Sequence, residues 1–384
     1  MRHEKRRDTG MNSVERIVFT GDFLRPSIAG LLPTQHENIL WLRKAVGVPV
    51  EMATGLPQEI LHWDHRWQNG SRVDATTISA VYQMMGIRRG IHDWPRLFDA
   101  ETLPPMLEDL LDRWFLKSFV IGFELPRWLV SFLSRRDVPF VDVSLSPIRF
   151  MDDLLFEVSA SHEAGTAAIR SHGVPEDLIR LQAGVLASNV AKSFPSPPRP
   201  NTLLILLQTR YDKVLIRDGR FVSLLDRLDE LERVAAEYDN VLIKAHPLET
   251  QEEVIDAISA RLDGVRHTTE NFYRLVSHDG LRGVAALSSS GVHEASWFGK
   301  RGHYLIEGFT RDTFTVGQEG FDVGDAILMP DFWRDVLGSM GLPVTEKDGL
   351  RLPSKPNRFR QQLRSAWGFN EVDTDIPASW ARTE

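Results

Sequence analysis

Three stretches in the second half of the chain carry side chains suited to holding a phosphate. In "YDNVLIKAHPLET", residues 238–250, an apolar strand runs straight into Lys244, His246 and Pro247. Open α/β sheets bind ligands at such carboxyl tips, and proline stops further pairing. In "ALSSSGVHEASWFGK" a strand leads into Ser288, Ser289, Ser290, Gly291, His293 and Glu294. A small-residue turn there exposes a helix N-terminus, whose free N–H groups bind phosphate and whose hydroxyls add donors. In "QTRYDKVLIRDGRF" Gln208, Arg210 and Asp212 stand just past a third apolar strand. Each stretch also has a plainer reading. His246 would cap a turn. The serines would cap a helix, with Glu294 in its first turn favouring the dipole. Asp212 would end a strand or pair with Arg210 or Lys213.

The elements around these stretches alternate in the manner of a parallel sheet covered by helices. The first half reads as strand 16–21, helices over 36–47 and 76–87, and helix 108–116. Strand 117–126 follows, ending in Glu124 and Pro126; then come a helix in "RWLVSFLSRRD", strand 138–147, and a mostly helical 151–196. Ile39, Leu40, Leu42 and Val46 share roughly one helical face. Four prolines in "KSFPSPPRPNT", 192–202, mark a linker. The second half restarts with "TLLILLQTRYD", apolar enough to be buried on both faces. Helix 222–237, strand 240–244, helix 251–261, strand 283–290, helix 291–299 and strand 302–306 follow. The prediction is an α/β chain with two Rossmann-type parallel-sheet lobes. The expected parts are a tail over 1–13, a first lobe over 14–195, a second over 196–345, and an extension over 346–384. "KPNRFRQQLRSAWGFNEVD" in that extension is a helix candidate that would cross back to the first lobe.

The chain has 384 residues, more than one core ordinarily serves, and its net charge of −8 argues against a nucleic-acid partner. A local pocket can still oppose that global sign and take a small anion. There are no cysteines, so disulfides, thiolate metal sites and thiol nucleophiles are excluded. A reducing cytoplasm fits. No apolar run reaches the roughly 18–20 residues that span a bilayer. The start "MRHEKRRDTGMNS" has no apolar stretch after its basic residues and is not a secretory signal.

"VLIKAHPLE" with "ALSSSGVHEASWFGK" resembles the His-Pro and Ser-Ser motifs of GT-B glycosyltransferases that use CMP-activated acid sugars. These include bacterial sialyltransferases and, more closely, the retaining β-Kdo transferases of capsule and O-antigen synthesis. "QTRYDKVLIRDGRF" resembles the segment where the capsule enzymes have a Gln and an acidic residue. "VPFVDVSLSPIRF" resembles a first-lobe strand that ends in an acidic motif. The resemblance spans roughly residues 116–310. "VDVSLSP" departs from the capsule pattern of a double acid followed by glycine, and fits the O-antigen branch better. The resemblance implies a GT-B fold with a central cleft, CMP-Kdo as donor and CMP as product. It implies that His246 and the serines, helped by Gln208, Arg210, Lys244, Pro247, Gly291 and Glu294, hold the CMP phosphate. It implies a glycan acceptor, lipid-linked or free, at the cytoplasmic face of the inner membrane. There the protein would touch the membrane or a polysaccharide assembly complex peripherally.

Expulsion of CMP builds charge on the phosphate, so cations and donors there are the main requirement. CMP leaves readily, so no metal or other cofactor is required. Asp373 and Asp375 have the letters of a metal motif but sit in the polar tail. Retention by double displacement needs a carboxylate nucleophile, for which the motif context offers Asp212. A second carboxylate must deprotonate the acceptor, and Glu124 or Asp142 would serve; either could instead pair with Arg127 or Arg149. Arg149 and Arg25 are candidates for the sugar carboxylate, against the commoner role of surface arginines. His62 and His65 could share a helix face, but no third metal ligand is near. Trp63, Trp67, Trp94 and Trp128 read mostly as core. The alternatives are a transferase of another CMP-nonulosonic acid, a CDP-glycerol-type phosphotransferase, and a non-catalytic nucleotide-binding scaffold.

Overall fold

A computed structural model describes residues 14–26, 34–62, 73–190, 197–247, 249–306, 319–350 and 358–360. The strands are, in chain order, β1 (Arg16–Gly21), β2 (Gln58–Ile60), β3 (Ser118–Phe123), β4 (Phe140–Leu145), β5 (Phe156–Ala160), β6 (Thr202–Leu206), β7 (Ile216–Arg217) and β8 (Arg220–Phe221). They continue with β9 (Asn240–Lys244), β10 (Arg266–His267), β11 (Leu281–Ala286), β12 (Arg301–Tyr304) and β13 (Phe321–Val323). The chain divides into two compact units. One holds Met1–Ser144, Phe156–Gly173 and Thr315–Lys355; the other holds Leu145–Leu155, Val174–Phe314 and Pro356–Glu384.

The first unit is built on a sheet of order β13-β5-β4-β3-β1-β2. β1 pairs in parallel with β2 and β3, and β3 with β4. Every residue of β3 and β4 is buried, as expected of parallel strands covered on both faces. The chain leaves β1 for one side of the sheet and returns to β3 on the other, so β1 and β3 flank a point where winding reverses. Their carboxyl ends approach closely: a Cβ on Gly21 would stand 2.6 Å from the Phe123 carbonyl oxygen. Phe23 packs edge-on against Trp114 and Trp128 beneath them.

The second unit carries a sheet of order β10-β9-β6-β11-β12, parallel throughout. β6 is central. The chain winds from it to β9 and β10, then crosses to β11 and β12. The reversal therefore falls between β6 and β11, and in such sheets the crevice at that point is the usual ligand site. β6 and β9 fall where the apolar runs predict them, and β9 matches residue for residue.

The expected lobe boundary is wrong in detail. The proline stretch does not join the lobes, because residues on both sides of it belong to the second unit. Ile179 and Ala183, on the helix Glu176–Val190, are buried in one cluster with Leu204 and Leu275. Residues 145–155 also belong to that unit, so the chain enters it, leaves and re-enters. The return to the first unit begins before 346. β13 pairs antiparallel with β5, and the helix Pro330–Ser339 packs on the helices Thr34–Thr54 and Glu163–Ser171. The stretch read as mostly helical, 151–196, contains β5. The expected tail over 1–13 and most of the crossing helix lie outside the described residues.

Candidate functional site

The neighbouring order β9-β6-β11 puts the three stretches singled out in the sequence side by side at one carboxyl edge of the second sheet. At the reversal point Gln208 bridges the two strands that flank it. Its Oε1 accepts from the Ser288 backbone N at 2.8 Å, and its Nε2 donates to the Ser288 Oγ at 3.1 Å. The backbone donor fixes which end of the amide is the oxygen. Gln251, which sequence reasoning passed over, donates in turn to the Gln208 carbonyl. Ser288 is 1% exposed and its N–H is spent on Gln208. The turn itself begins at Ser289, whose Oγ caps the helix Ser290–Trp297 by accepting from Gly291 N at 3.2 Å. A Cβ on Gly291 would meet a Leu206 methyl at 2.6 Å, so glycine lets this helix start lie close on β6. Gln208→Leu should leave the buried Ser288 N–H unpaired and lower stability by about 1–3 kcal/mol in urea unfolding. Gln208→Glu keeps an acceptor and should cost less.

On the other side of β6, the β9 tip bends into a short turn. His246 is partly buried there, and its carbonyl accepts from Glu249 N at 3.2 Å. Lys244, the last residue of β9, is half-buried. Burial lowers its ammonium pKa, and Glu270 partly opposes that shift. Pro247 is exposed just beyond.

Several expected members do other work. Arg210 pairs with Glu249 at 2.6 Å and with Glu253 at 2.7 Å, and its backbone N donates to Glu249. Two carboxylates thus sit against its guanidinium. Asp212 caps the short turn Lys213–Leu215, accepting from Val214 N at 3.3 Å. Glu294 is not in the first helical turn, because the helix begins at Ser290. It is 3% exposed, and its Oε1 accepts from Arg149 N at 2.7 Å and from Tyr273 OH at 2.8 Å. Burial raises its pKa to about 7 despite those donors and the nearby Arg149 and Arg360 charges. The folded protein therefore holds a proton there that the unfolded chain releases near pH 4.5. This contribution to stability is present below about pH 4.5 and is lost as pH rises through about 7. Glu294→Gln keeps the carbonyl acceptor and should flatten that decline, as read from urea midpoints between pH 5 and 8.

In the first unit, Glu124 follows β3 with φ of 53°, a left-handed conformation unusual for a residue with a side chain. Its carboxylate accepts from Gln35 at 3.5 Å. Asp142, on β4 beside Gly122, is 2% exposed and accepts from Leu125 N at 2.9 Å. That contact ties one Asp142 oxygen to the turn carrying Glu124. Arg25 lies past β1 with its guanidinium 4.6 Å over the Trp94 ring, and the buried Asp22 accepts from Trp94 Nε1 at 2.8 Å. Trp94 and Trp128 are core, as expected. His62 is buried with its ring 6.2 Å from that of His36. His65, Trp63, Trp67, Asp373 and Asp375 lie outside the described residues. Among the described residues no group of three or more His, Cys, Asp or Glu could hold a metal ion. No described helix is long and apolar enough to cross a membrane.

No family model and no curated protein sequence matches the chain. Among solved structures it is similar to the β-Kdo 2,7 transferase KpsC of Thermosulfurimonas dismutans. The identity is 12% and the TM-score 0.31, over 59% of this chain and 86% of that one. It is similar to the β-Kdo 2,4 transferase KpsC of the same organism at 14% identity and a TM-score of 0.33, over 75% and 78% of the two chains. It is also similar to the UDP-GlcNAc 2-epimerase of Neisseria meningitidis at 10% identity and a TM-score of 0.24, over 85% and 94%. Likenesses this weak assign no function.

Proposed function

We propose that this protein is a glycosyltransferase that moves Kdo from CMP-Kdo to a glycan acceptor, with retention of configuration. One observation carries the reading. Adjacent parallel strands bring His246 and Lys244 to the same sheet edge as the Ser289–Ser290 helix start, across a reversal point clasped by Gln208. A histidine, a lysine and the serine-capped start of a helix suit a phosphate whose charge grows as it departs. In this account Ser288 and Gln208 position the turn, and the turn contacts the phosphate. The Asp212 carboxylate attacks the anomeric carbon as the bond to CMP breaks. The acceptor's hydroxyl oxygen then displaces Asp212, its proton passing to a general base, for which Glu124 is the candidate. Glu124 is preferred to Asp142, whose carboxylate already serves Leu125 N. No metal or cofactor is assigned a part. The acceptor would be a lipid-linked or oligosaccharide glycan at the cytoplasmic face of a membrane.

A donor panel tests the reading. CMP-Kdo, CMP-sialic acid, UDP-GlcNAc and CDP-glycerol are each supplied with a mixed glycan acceptor, and nucleotide release is followed. CMP release from CMP-Kdo above the rate without protein is expected. Turnover of CDP-glycerol alone would make the protein a phosphotransferase. Turnover of CMP-sialic acid alone would change the sugar.

A further inference from the structure

We infer that Arg149 is a second anion-binding group of the same lobe, placed to take the carboxylate of the sugar carried on the nucleotide. The inference rests on the nucleotide-sugar reading above and assigns the part of the donor that the serine turn does not hold.

Arg149 sits in a short excursion closed at its base, where Ser146 N donates to the Leu155 carbonyl at 3.0 Å. Its neighbours Ile148 and Phe150 are buried in the core of the second unit, with the Phe150 ring edge-on to Phe298 at 5.3 Å. Both backbone groups of Arg149 are tied. Its N–H donates to the buried Glu294 at 2.7 Å, and its carbonyl accepts from Arg360 Nη2 at 2.9 Å. Arg360 is itself held by the Asp153 carboxylate, which accepts its backbone N at 3.0 Å. Such anchoring spares a ligand the cost of ordering the loop.

The side chain is treated differently. Arg149 forms no ion pair among the described residues, and its Nε is buried without a hydrogen-bond partner. A guanidinium cannot shed its charge, and a buried donor without an acceptor costs stability. Burial also keeps the neighbouring Glu294 from supplying a full counter-charge near neutral pH, since its pKa stands at about 7. A cation so placed and so unmatched fits an anionic ligand. Its location selects which one. Glu294 lies four residues after Ser290, on the same helix face, and helical side chains lean back towards the N-terminus. Arg149 N, bonded to Glu294, therefore stands beside the first turn of the proposed phosphate site. In a 2-keto acid sugar linked to CMP, the carboxylate is on the same carbon that bears the phosphate oxygen. The two anions are neighbours, as the turn and the arginine are here.

The test compares CMP with CMP-Kdo, titrated into wild type, Arg149→Gln, Arg149→Lys and His246→Ala, with thermal melting of each. Arg149→Gln should leave CMP affinity within about twofold of wild type. It should weaken CMP-Kdo by about tenfold to a hundredfold, the loss of a bidentate charged contact. Arg149→Lys should fall between, because a lysine keeps the charge without the fork. Equal weakening of both ligands in Arg149→Gln would make the arginine a phosphate group and overturn the assignment, as would unchanged CMP-Kdo affinity. Weak CMP binding in His246→Ala beside normal CMP binding in Arg149→Gln shows the nucleotide reading standing on its own. If wild type binds no CMP, that reading fails and this assignment falls with it.

Discussion

Asp212→Asn should abolish the proposed transfer from CMP-Kdo while leaving CMP affinity within about twofold of wild type. The expected loss in turnover is about 10³-fold or more, as for removal of other covalent nucleophiles. The substitution separates the two roles open to this residue. As a cap, Asp212 accepts one bond of 3.3 Å from Val214 N, at the long end for such contacts. Asparagine caps as well as aspartate, so the turn Lys213–Leu215 and the fold should persist. As a nucleophile, only the carboxylate can form the glycosyl ester. Mass spectrometry of wild type quenched with CMP-Kdo should show the Kdo adduct on the peptide carrying residue 212, and the variant should lack it. Turnover within about tenfold of wild type would remove Asp212 from the mechanism and leave it a turn residue.

The second large effect is at Glu124. Glu124→Gln should slow single-turnover transfer by about 10²–10⁴-fold, the range for loss of a general base, with donor affinity unchanged. A non-glycine residue at φ of 53° carries backbone strain, as at Lys117, Asp137, Asn201 and Asp218. Glu124→Gly should therefore raise stability by about 0.5–1 kcal/mol while removing transfer, an exchange expected at a working site and not at an ordinary turn. Asp142→Ala should do the reverse. It leaves Leu125 N without its buried acceptor and costs about 1–3 kcal/mol in unfolding. A normal chemical step in Glu124→Gln, with a slow one in Asp142→Asn, would exchange their roles.

Much of the second sheet was legible from the chain because its strands are short apolar runs with sharp ends. "NVLIK" stops at Lys244, and the three serines mark where β11 gives way to a helix. That those tips lie at the carboxyl ends of one sheet also followed from the alternation of strand and helix, whereas their order β9-β6-β11 did not. What stayed hidden depended on partners distant in sequence. Arg210 reads as a phosphate cation, and its pairing with Glu249, 39 residues on, does not show. Glu294 looks like a first-turn acid, but Ser289 caps the helix early enough to put it past the first turn, buried against Arg149 N and Tyr273 OH. Gln251 reads as one polar residue in "LETQEEV" and proves to hold the Gln208 carbonyl. The prolines at 195–200 signal a break in local structure, and nothing local says that the break lies within one unit. β5 was missed because "FEVSA" is five residues with a buried glutamate at its second position.

The central claim is that the edge formed by His246, Lys244 and the Ser289 turn binds the phosphate of a cytidine nucleotide. Calorimetric titration of CMP, UMP, ADP and CDP-glycerol into wild type and His246→Ala, with melting curves for both, addresses it directly. The expected result is binding of CMP in preference to the others, weakened by about tenfold or more in a His246→Ala protein that melts like wild type. Absence of nucleotide binding in wild type, or equal CMP affinity in the two proteins, would reduce the strand end to a turn and contradict the account.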